Sequence, residues 1–276
     1  MILIIRFLLI YLSFNYHTFA LDLPETAPQG SLIIGESSTA DVILVDGESI
    51  KISPDGFYVF AISREQVEPV NITFIRNNEI TDSEQIFIEV QDFDIQRIDG
   101  LPEQMVTPLG DDIINRIITE NNFIKDVKQI DLDLTFFKEK FVMPTDGIIS
   151  GVFGSQRILN GIAKSPHRGI DIAAEKGSRV IACNDGIVIH AENDLYYTGG
   201  TIILDHGHGV KSIYAHLSSV DVVLNQQVSR NEIIGKVGST GRSTGPHLHW
   251  GVMVFDTYVD PLLSVSYTHL TLPTKA

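Results

Sequence analysis

The sequence contains a single cysteine, Cys183, and this excludes an internal disulfide. Cys183 ends an apolar run that begins at Val180, and it lies just before a turn. That position favours a buried, inert thiol, since reactive cysteines sit in exposed, electropositive surroundings. The sequence therefore disfavours cysteine catalysis.

Basic residues are scarce: 20 lysines and arginines stand against 35 acidic residues, a formal net charge of −15. The acidity belongs to one half of the chain. Residues 1–140 hold 10 basic and 24 acidic groups, whereas residues 141–276 hold 10 and 11. Neither half has the basic stripe that phosphate backbones require, so we expect no nucleic acid partner.

Long hydrophobic runs are absent beyond residues 1–20, where the apolar stretch is too short and interrupted to span a bilayer well. Thr18 and Ala20 place small residues three and one before a cleavage point, as signal peptidase requires. We predict a signal peptide at 1–20, with an uncleaved anchor as the alternative. The mature protein is then exported to the periplasm or cell envelope and has no integral membrane segment.

Residues 31–90 consist of short β-type runs separated by turn signals. Asp46-Gly47 and Asp55-Gly56 fall between runs, where hairpin turns need residues that tolerate positive φ. This spacing predicts a mostly β protein that begins with a small Ig-like β-sandwich over 21–92. No cluster of histidines or acids indicates a site there, so we interpret it as an accessory domain.

Residues 93–140 are predicted to form a linker with one helix. Gly100 and Pro108 interrupt the chain, and isoleucines then recur with helical spacing over 111–128. Asp111 and Asp112 come directly before these isoleucines and are expected to provide the N-cap.

The β pattern returns after residue 140 and predicts an antiparallel β domain over 141–264, which holds most of the nine histidines. Asn184-Asp185-Gly186 predicts a hairpin turn within it. Residues 265–276 do not continue the pattern and resemble a translated sequencing adapter. We therefore predict a non-native tail there.

Metal-ligand spacings each occur twice, so no spacing is specific by itself. The four pairs are His167/Asp171 and His190/Asp194, spaced His-x-x-x-Asp, and His206/His208 and His247/His249, spaced His-x-His.

The surrounding residues separate these pairs. Pro166 and Gly169 make the first pair non-helical, so a short loop can bring an imidazole and a carboxylate to one metal. His190 runs off a predicted strand and is interpreted as part of a surface loop. His206 and His208 lie between glycines of a tight hairpin, which favours an exposed or turn-stabilising pair.

His247 and His249 begin an apolar run that predicts a strand. Positions i and i+2 of a strand share a face, so both imidazoles should enter one cavity. His216 ends another predicted strand. By itself, a lone histidine at that position does not indicate a functional site, and its interpretation depends on the other histidines.

Three motifs in this order resemble the motif set of the LytM/lysostaphin-type peptidases, the M23 metallopeptidases, over roughly residues 145–263. They are His167-Arg168-Gly169-Ile170-Asp171, Tyr214-Ala215-His216-Leu217 and Gly245-Pro246-His247-Leu248-His249-Trp250. The resemblance implies a C-terminal domain of the LytM/M23 type with one Zn²⁺ per chain, bound by His167, Asp171 and His249. It also implies that His216 and His247 are the catalytic pair. No position of the motifs is substituted.

The chemistry of these residues agrees with that assignment. Two neutral imidazoles and one carboxylate suit zinc and leave a fourth coordination position open. Zinc lowers the pKa of its water to about 7, and the two further imidazoles can accept a proton or stabilise an oxyanion. The resemblance therefore implies a metalloendopeptidase that hydrolyses peptide cross-links of bacterial peptidoglycan, namely the D-alanyl–diaminopimelate bond.

Two other functions stay open at the level of the sequence. One is a catalytically silent envelope regulator that activates a cell-wall amidase, which would require missing metal ligands. The other is a peptidoglycan-binding adhesin in which the N-terminal β domain dominates. The sequence does not determine the oligomeric state.

Overall fold

The computed structural model describes residues 23–100, 103–108 and 110–265. The predicted signal peptide and the predicted tail beyond Val265 lie outside these residues. No helix in the described ranges is long and apolar enough to cross a membrane. The described chain is mostly β, as the sequence predicts.

Seven strands form the N-terminal unit: β1 (Thr26–Pro28), β2 (Leu32–Glu36), β3 (Val42–Val45), β4 (Glu48–Ile50), β5 (Phe57–Ala61), β6 (Val70–Arg76) and β7 (Glu79–Glu89). Five of them make one sheet in the order β1-β7-β6-β3-β4, and β2 pairs with β5 in a second sheet. Alternate residues of β6 point inward, as the period of a half-buried strand requires. They meet Ile33, Tyr58 and Phe60 of the second sheet in one core, so the predicted two-sheet sandwich is present.

The connection contains β8 (Ile95–Ile98), α1 (Glu103–Val106), α2 (Asp111–Lys128) and a short 3₁₀ helix (Phe136–Lys138). Helix α2 has the predicted bounds. The predicted N-cap is wrong, because Gly110 occupies that position and makes no side-chain cap hydrogen bond. Asp111 and Asp112 lie instead in the first turn, where negative charge still favours the helix dipole.

The C-terminal unit has thirteen strands and a last short helix. They are β9 (Ile148–Gly151), β10 (Gln156–Leu159), β11 (Ile162–Ala163), β12 (Ile170–Ala173), β13 (Arg179–Ile181), β14 (Gly186–Leu195), β15 (Gly199–Gly207), β16 (Val210–Leu217), β17 (Ser219–Val220), β18 (Gln227–Val228), β19 (Ile233–Lys236), β20 (His247–Val254), β21 (Thr257–Val259) and α3 (Pro261–Val265).

A central eight-stranded antiparallel sheet positions the site. Its order is β18-β14-β15-β16-β20-β12-β9, with β21 paired to β20. Two small sheets flank it, β13-β19-β17 and β11-β10-β8. The last includes the linker strand β8, which the sequence pattern did not predict and which runs parallel to β10.

The two faces of the central sheet have different roles. One face carries the main core, including Tyr214, Leu248 and Trp250. On the other face, Ile189 and Ile203 pack against Val127 of α2. The linker helix therefore covers part of the face on which the site residues lie.

The N-terminal unit shares a core with the C-terminal unit. Leu32 of β2 and Val59 of β5 are buried in the same cluster as Ile170 and Trp250. The β2–β5 sheet is thus apolar on both faces, one toward each unit. The sequence analysis treats residues 21–92 as an accessory domain and does not predict this shared core. The pattern of apolar residues in β2 and β5 shows that these strands are buried, but it does not show that the C-terminal unit covers one face of their sheet.

One predicted turn differs from the structure. Asn184 to Gly186 connect β13 to β14, but these strands do not pair with each other. Strand β13 pairs with β19, and β14 pairs with β15 and β18, so the turn joins two sheets and is not a hairpin. The preceding Cys183 is buried as predicted, and burial raises the pKa of its thiol to about 11.

Candidate metal centre and active site

Strand pairing brings the first two site residues together. Asp171 on β12 lies directly opposite His249 on β20. Opposed residues on one face of an antiparallel pair have neighbouring Cβ atoms, so their side chains meet. His249 Nδ1 lies 2.8 Å from Asp171 Oδ1.

His167 reaches the same point from the loop before β12. Its Nε2 lies 3.0 Å from Asp171 Oδ1 and 3.0 Å from His249 Nδ1. Two backbone hydrogen bonds hold this loop, from Gly154 N to the His167 carbonyl and from His167 N to the Ser155 carbonyl, each 2.9 Å long. The structure therefore brings the three predicted ligand side chains into one cluster.

The cluster fits a tetrahedral metal ion. Zinc bonds of about 2.0–2.1 Å place neighbouring ligand atoms roughly 3.3 Å apart. The three distances of 2.8, 3.0 and 3.0 Å lie close to that spacing. Within the described residues it is the one cluster of three or more histidine, cysteine or acidic side chains that could hold a metal.

Hydrogen bonds orient the ligand atoms. His167 Nδ1–H donates to the Val152 carbonyl at 3.0 Å, which leaves the Nε2 lone pair directed at the cluster. Arg157 Nη2 donates to Asp171 Oδ2 at 2.7 Å, so Oδ1 is left for the ion. Gly151 leaves room for this carboxylate, because a Cβ there would lie 2.6 Å from Oδ2.

The sequence analysis did not find Arg157. It lies on β10 beside Gln96 of the linker strand β8, and its Nε donates to Gln96 Oε1 at 3.2 Å. No motif or spacing marks it, since its position depends on the parallel pairing of two strands about sixty residues apart.

The charges in the cluster stabilise one another. Burial by itself would raise the pKa of Asp171, but its contacts with the His167 and His249 rings outweigh burial and hold that pKa well below its ordinary value. Burial lowers the pKa of His249, which favours the neutral imidazole that a metal requires. The cluster thus offers the Asp171 carboxylate and, at His249, a neutral nitrogen ligand.

His216 and His247 lie beside this cluster. Their ring centroids are 4.7 Å apart, and His247 Nε2 is 3.8 Å from Asp171 Oδ1. His216 Nδ1–H donates to the Thr240 carbonyl, and His247 Nδ1–H donates to the Gly245 carbonyl, both at 2.8 Å. With Nδ1–H engaged in this way, the Nε2 of each neutral ring carries no proton.

The backbone at His216 is unusual. Its φ of 63° lies in the left-handed region, which costs free energy for a residue with a side chain. Ala215 is the strand residue opposite His249, so a regular strand would place His216 on the other face. The left-handed conformation instead turns the imidazole toward His247 and His249. Burial lowers the pKa of this imidazole to about 4.

The structure excludes the other histidine pairs from the site and corrects their interpretation. His190 lies within β14 and not in a surface loop, and it is buried against the ring of Phe123. His206 and His208 are buried as well, and not exposed. The hairpin that joins β15 to β16 does form, but Phe137 of the 3₁₀ helix packs against the His208 ring and Phe141 packs against the His206 ring.

The site lies in a groove of about 910 Å³. The linker forms one wall with Ile98, Val106 and Ile124, and the loop of residues 242–246 forms the other. Residues 242–245 belong to the glycine-rich segment 238–245. Gly199 and Gly200 begin the buried strand β15 and do not line the groove.

Comparisons with known proteins agree with this geometry. Residues 165–261 match the model of peptidase family M23. The chain is 40% identical over 108 residues to peptidoglycan DD-endopeptidase ShyA of Vibrio cholerae, covering 38% of this chain and 25% of that protein. It is also 40% identical over 111 residues to DD-carboxypeptidase/endopeptidase Mpg of Neisseria meningitidis, covering 40% and 25%. The chain thus matches about a quarter of the length of these curated relatives.

The fold is similar to a crystal structure of a Pseudomonas aeruginosa protein assigned to peptidase M23. The TM-score is 0.58 at 24% identity, and the similarity covers 87% of this chain and 95% of that one. Because coverage is this extensive, the similarity of fold extends beyond residues 165–261.

Proposed function

We propose that this protein is a zinc-dependent endopeptidase that hydrolyses peptide cross-links of bacterial peptidoglycan, because residues 165–261 match the model of peptidase family M23. The observation that carries the proposal is the convergence of His167, Asp171 and His249, whose ligand atoms lie within 3.0 Å of one another. Two further imidazoles stand beside them. The name of the Vibrio cholerae relative supports peptidoglycan as the substrate.

Each site residue has a distinct task in this reaction. His167, Asp171 and His249 hold the metal, and Arg157 keeps the second Asp171 oxygen away from it. A bound zinc ion supplies Lewis acidity, which polarises the scissile carbonyl and lowers the pKa of water to about 7.

His216 and His247 handle the proton. Both present an Nε2 without a proton, because each Nδ1–H is engaged with a backbone carbonyl. Burial lowers the pKa of His216 to about 4, so that ring is neutral at pH 7. Its Nε2 lone pair is therefore available to the proton of the attacking water. The pair can then return a proton to the leaving amine or donate to the tetrahedral oxyanion.

The finer parts of the proposal concern the bond and the compartment. We place cleavage at the D-alanyl–diaminopimelate cross-link, in keeping with the term DD-endopeptidase in the name of the relative. Such a substrate requires export to the periplasm or cell envelope, with the signal peptide at residues 1–20. The silent-regulator alternative has no observation in its favour, since all five site residues are present.

The test measures zinc content and turnover on the same preparations. The wild-type protein should bind one zinc per chain and release muropeptides from purified sacculi, identified by mass spectrometry. His249→Ala should lose both zinc and activity, whereas His247→Ala should keep zinc and lose turnover. His206→Gln changes a buried histidine outside the groove and should retain zinc and activity.

Two outcomes would overturn the proposal. Full activity of His249→Ala on sacculi contradicts the ligand assignment. Wild-type protein without bound metal at neutral pH favours the regulator.

A further inference from the structure

The groove is positively charged, although the chain carries a net charge of −15. Five cationic side chains line it and two acidic ones do: Lys128, Arg157, Lys164, Arg168 and Arg242 against Glu120 and Asp171. A cleft lined by one sign of charge between low-dielectric walls concentrates ligands of the opposite sign.

Both groove carboxylates are already engaged. Asp171 accepts from Arg157 within the candidate metal cluster. Glu120 accepts from Arg116 Nε at 2.6 Å through one oxygen and from the backbone N of Tyr196 at 2.7 Å through the other. The positive charge of the groove is therefore left for a ligand.

Apart from Arg157, which pairs with Asp171, four cationic side chains line the groove. Three of these four have partners or lie away from the proton-transfer residues. Lys164 Nζ donates to the Val106 carbonyl at 2.8 Å. Lys128 and Arg168 both lie over the ring of Tyr258. Tyr258 pairs with Met253, four residues beyond His249 along β20, or roughly 13 Å at the rise of a strand.

Arg242 lies on the loop that holds the proton-transfer pair. Its loop contains Thr240, which accepts from His216, and Ser243, whose hydroxyl is 3.3 Å from His247 Nδ1. The guanidinium is oriented by Tyr197: its Cζ lies 4.4 Å from the ring centroid, and the Arg242 backbone N donates to the Tyr197 carbonyl at 2.8 Å.

Within the part of the chain that the structure describes, no group accepts a hydrogen bond from the Arg242 guanidinium. Arg64, Arg116 and Arg157 each pair with a carboxylate. Within the described ranges, Arg242 has no such ion pair. A planar, stacked guanidinium with a free N–H edge matches the two oxygens of a carboxylate.

We propose that Arg242 binds a free carboxylate of the peptide substrate on the residue next to the scissile bond. The inference rests on the proposed peptidase function and adds a selectivity to it: the enzyme prefers a free carboxylate at that residue over the corresponding carboxamide. Arg242 acts in binding, and the chemical step remains with the metal cluster and the two histidines.

The experiment compares two cross-linked muropeptides that differ in one group. One carries the free carboxylate on the carbon that bears the scissile nitrogen, and the other carries a carboxamide there. For wild-type enzyme, KM of the carboxamide should be about tenfold to one hundredfold higher with little change in kcat, the size expected for a charge-assisted hydrogen bond. Arg242→Gln should raise KM of the free acid to that of the carboxamide.

Two further variants serve as controls. Arg242→Lys keeps the charge without the planar fork and should recover part of the preference. Arg179→Gln changes an exposed arginine on β13 outside the groove and should leave the preference unchanged. If Arg242→Gln retains the full preference, or if the wild type has none, the inference is wrong while the peptidase function stands.

A binding measurement separates the inference from the proposed function. In full-length His247→Ala protein loaded with zinc, calorimetry should show tighter binding of the free acid than of the carboxamide, and Arg242→Gln in that background should abolish the difference. Equal affinities overturn the inference. Absence of any hydrolysis by wild-type enzyme, with the binding preference intact, contradicts the peptidase function alone.

Discussion

A carboxylate that ligates a metal must present one oxygen to the ion and have the other held in place. Asp171 meets this requirement through Arg157, which donates to Oδ2 at 2.7 Å. Arg157 is in turn held by Gln96 of the linker. A residue outside the three motifs thus orients a proposed metal ligand within them.

We expect Arg157→Met to weaken zinc binding by about tenfold to one hundredfold, because partners of metal ligands contribute to affinity on that scale. A competition titration against a chelator measures the change. Arg168→Met removes a neighbouring groove arginine whose side chain lies over Tyr258 and, among the described residues, makes no ion pair with Asp171. Its zinc affinity should therefore match that of the wild type. Equal affinities of the two variants would show that Arg157 does not orient the site.

At the scale of the secondary-structure elements, the backbone conformation determines which side chains enter the groove. His216 and His247 reach it in different ways. Strand alternation suffices for His247 and His249, whereas His216 needs an exceptional φ to reach the same cavity. Helix α2 also contributes to the packing of the elements, since Val127 packs on Ile189 and Ile203 of the central sheet.

Shortening the Val127 side chain should destabilise the protein. Val127 is 5% exposed, and we expect Val127→Ala to reduce the free energy of unfolding by about 2 kcal/mol through lost burial and the cavity left behind. Ile118 lies on the same helix and is 52% exposed, so Ile118→Ala should change it by less than about 0.5 kcal/mol. Urea unfolding measures both. Similar values would mean that α2 is not packed on the sheet.

At the scale of the whole molecule, the two units share a core through the β2–β5 sheet. The free energy of unfolding also depends on pH, because histidines are buried in the fold. His206 is fully buried. Its Nδ1–H donates to the Asp185 carbonyl at 2.6 Å, and its Nε2 accepts from the Ser212 hydroxyl at 2.8 Å. Burial lowers its pKa from 6.5 to about 4.

The sign of the pH effect follows from this shift. Since the unfolded chain binds the proton more tightly, the contribution of His206 to stability is present above pH 6.5 and is lost as the pH falls toward 4. Between pH 7 and pH 5 the loss amounts to about 2 kcal/mol. His206→Gln should remove that part of the pH dependence in urea unfolding. Ser212→Ala keeps the titrating ring and should retain it, so equal slopes in the two variants would contradict the assignment.

Much of the fold and of the candidate site was predictable because the signals involved are local. The bounds of α2 follow from isoleucines at helical spacing, and the shared face of His247 and His249 follows from the period of a strand. The loop at His167 follows from the proline and glycine that flank it. Such preferences act between residues a few positions apart, so the sequence displays them directly.

Other features were decided by tertiary structure alone. The hydrogen bond from Arg157 to Asp171, the burial of His190, His206 and His208, and the positive charge of the groove in an acidic chain depend on which distant segments pack together. Pairing of β8 with β10 and of β12 with β20 is set by the total apolar surface buried, which no short stretch of sequence specifies. The residue types determined the chemistry available to this protein, and packing determined which side chains meet to perform it.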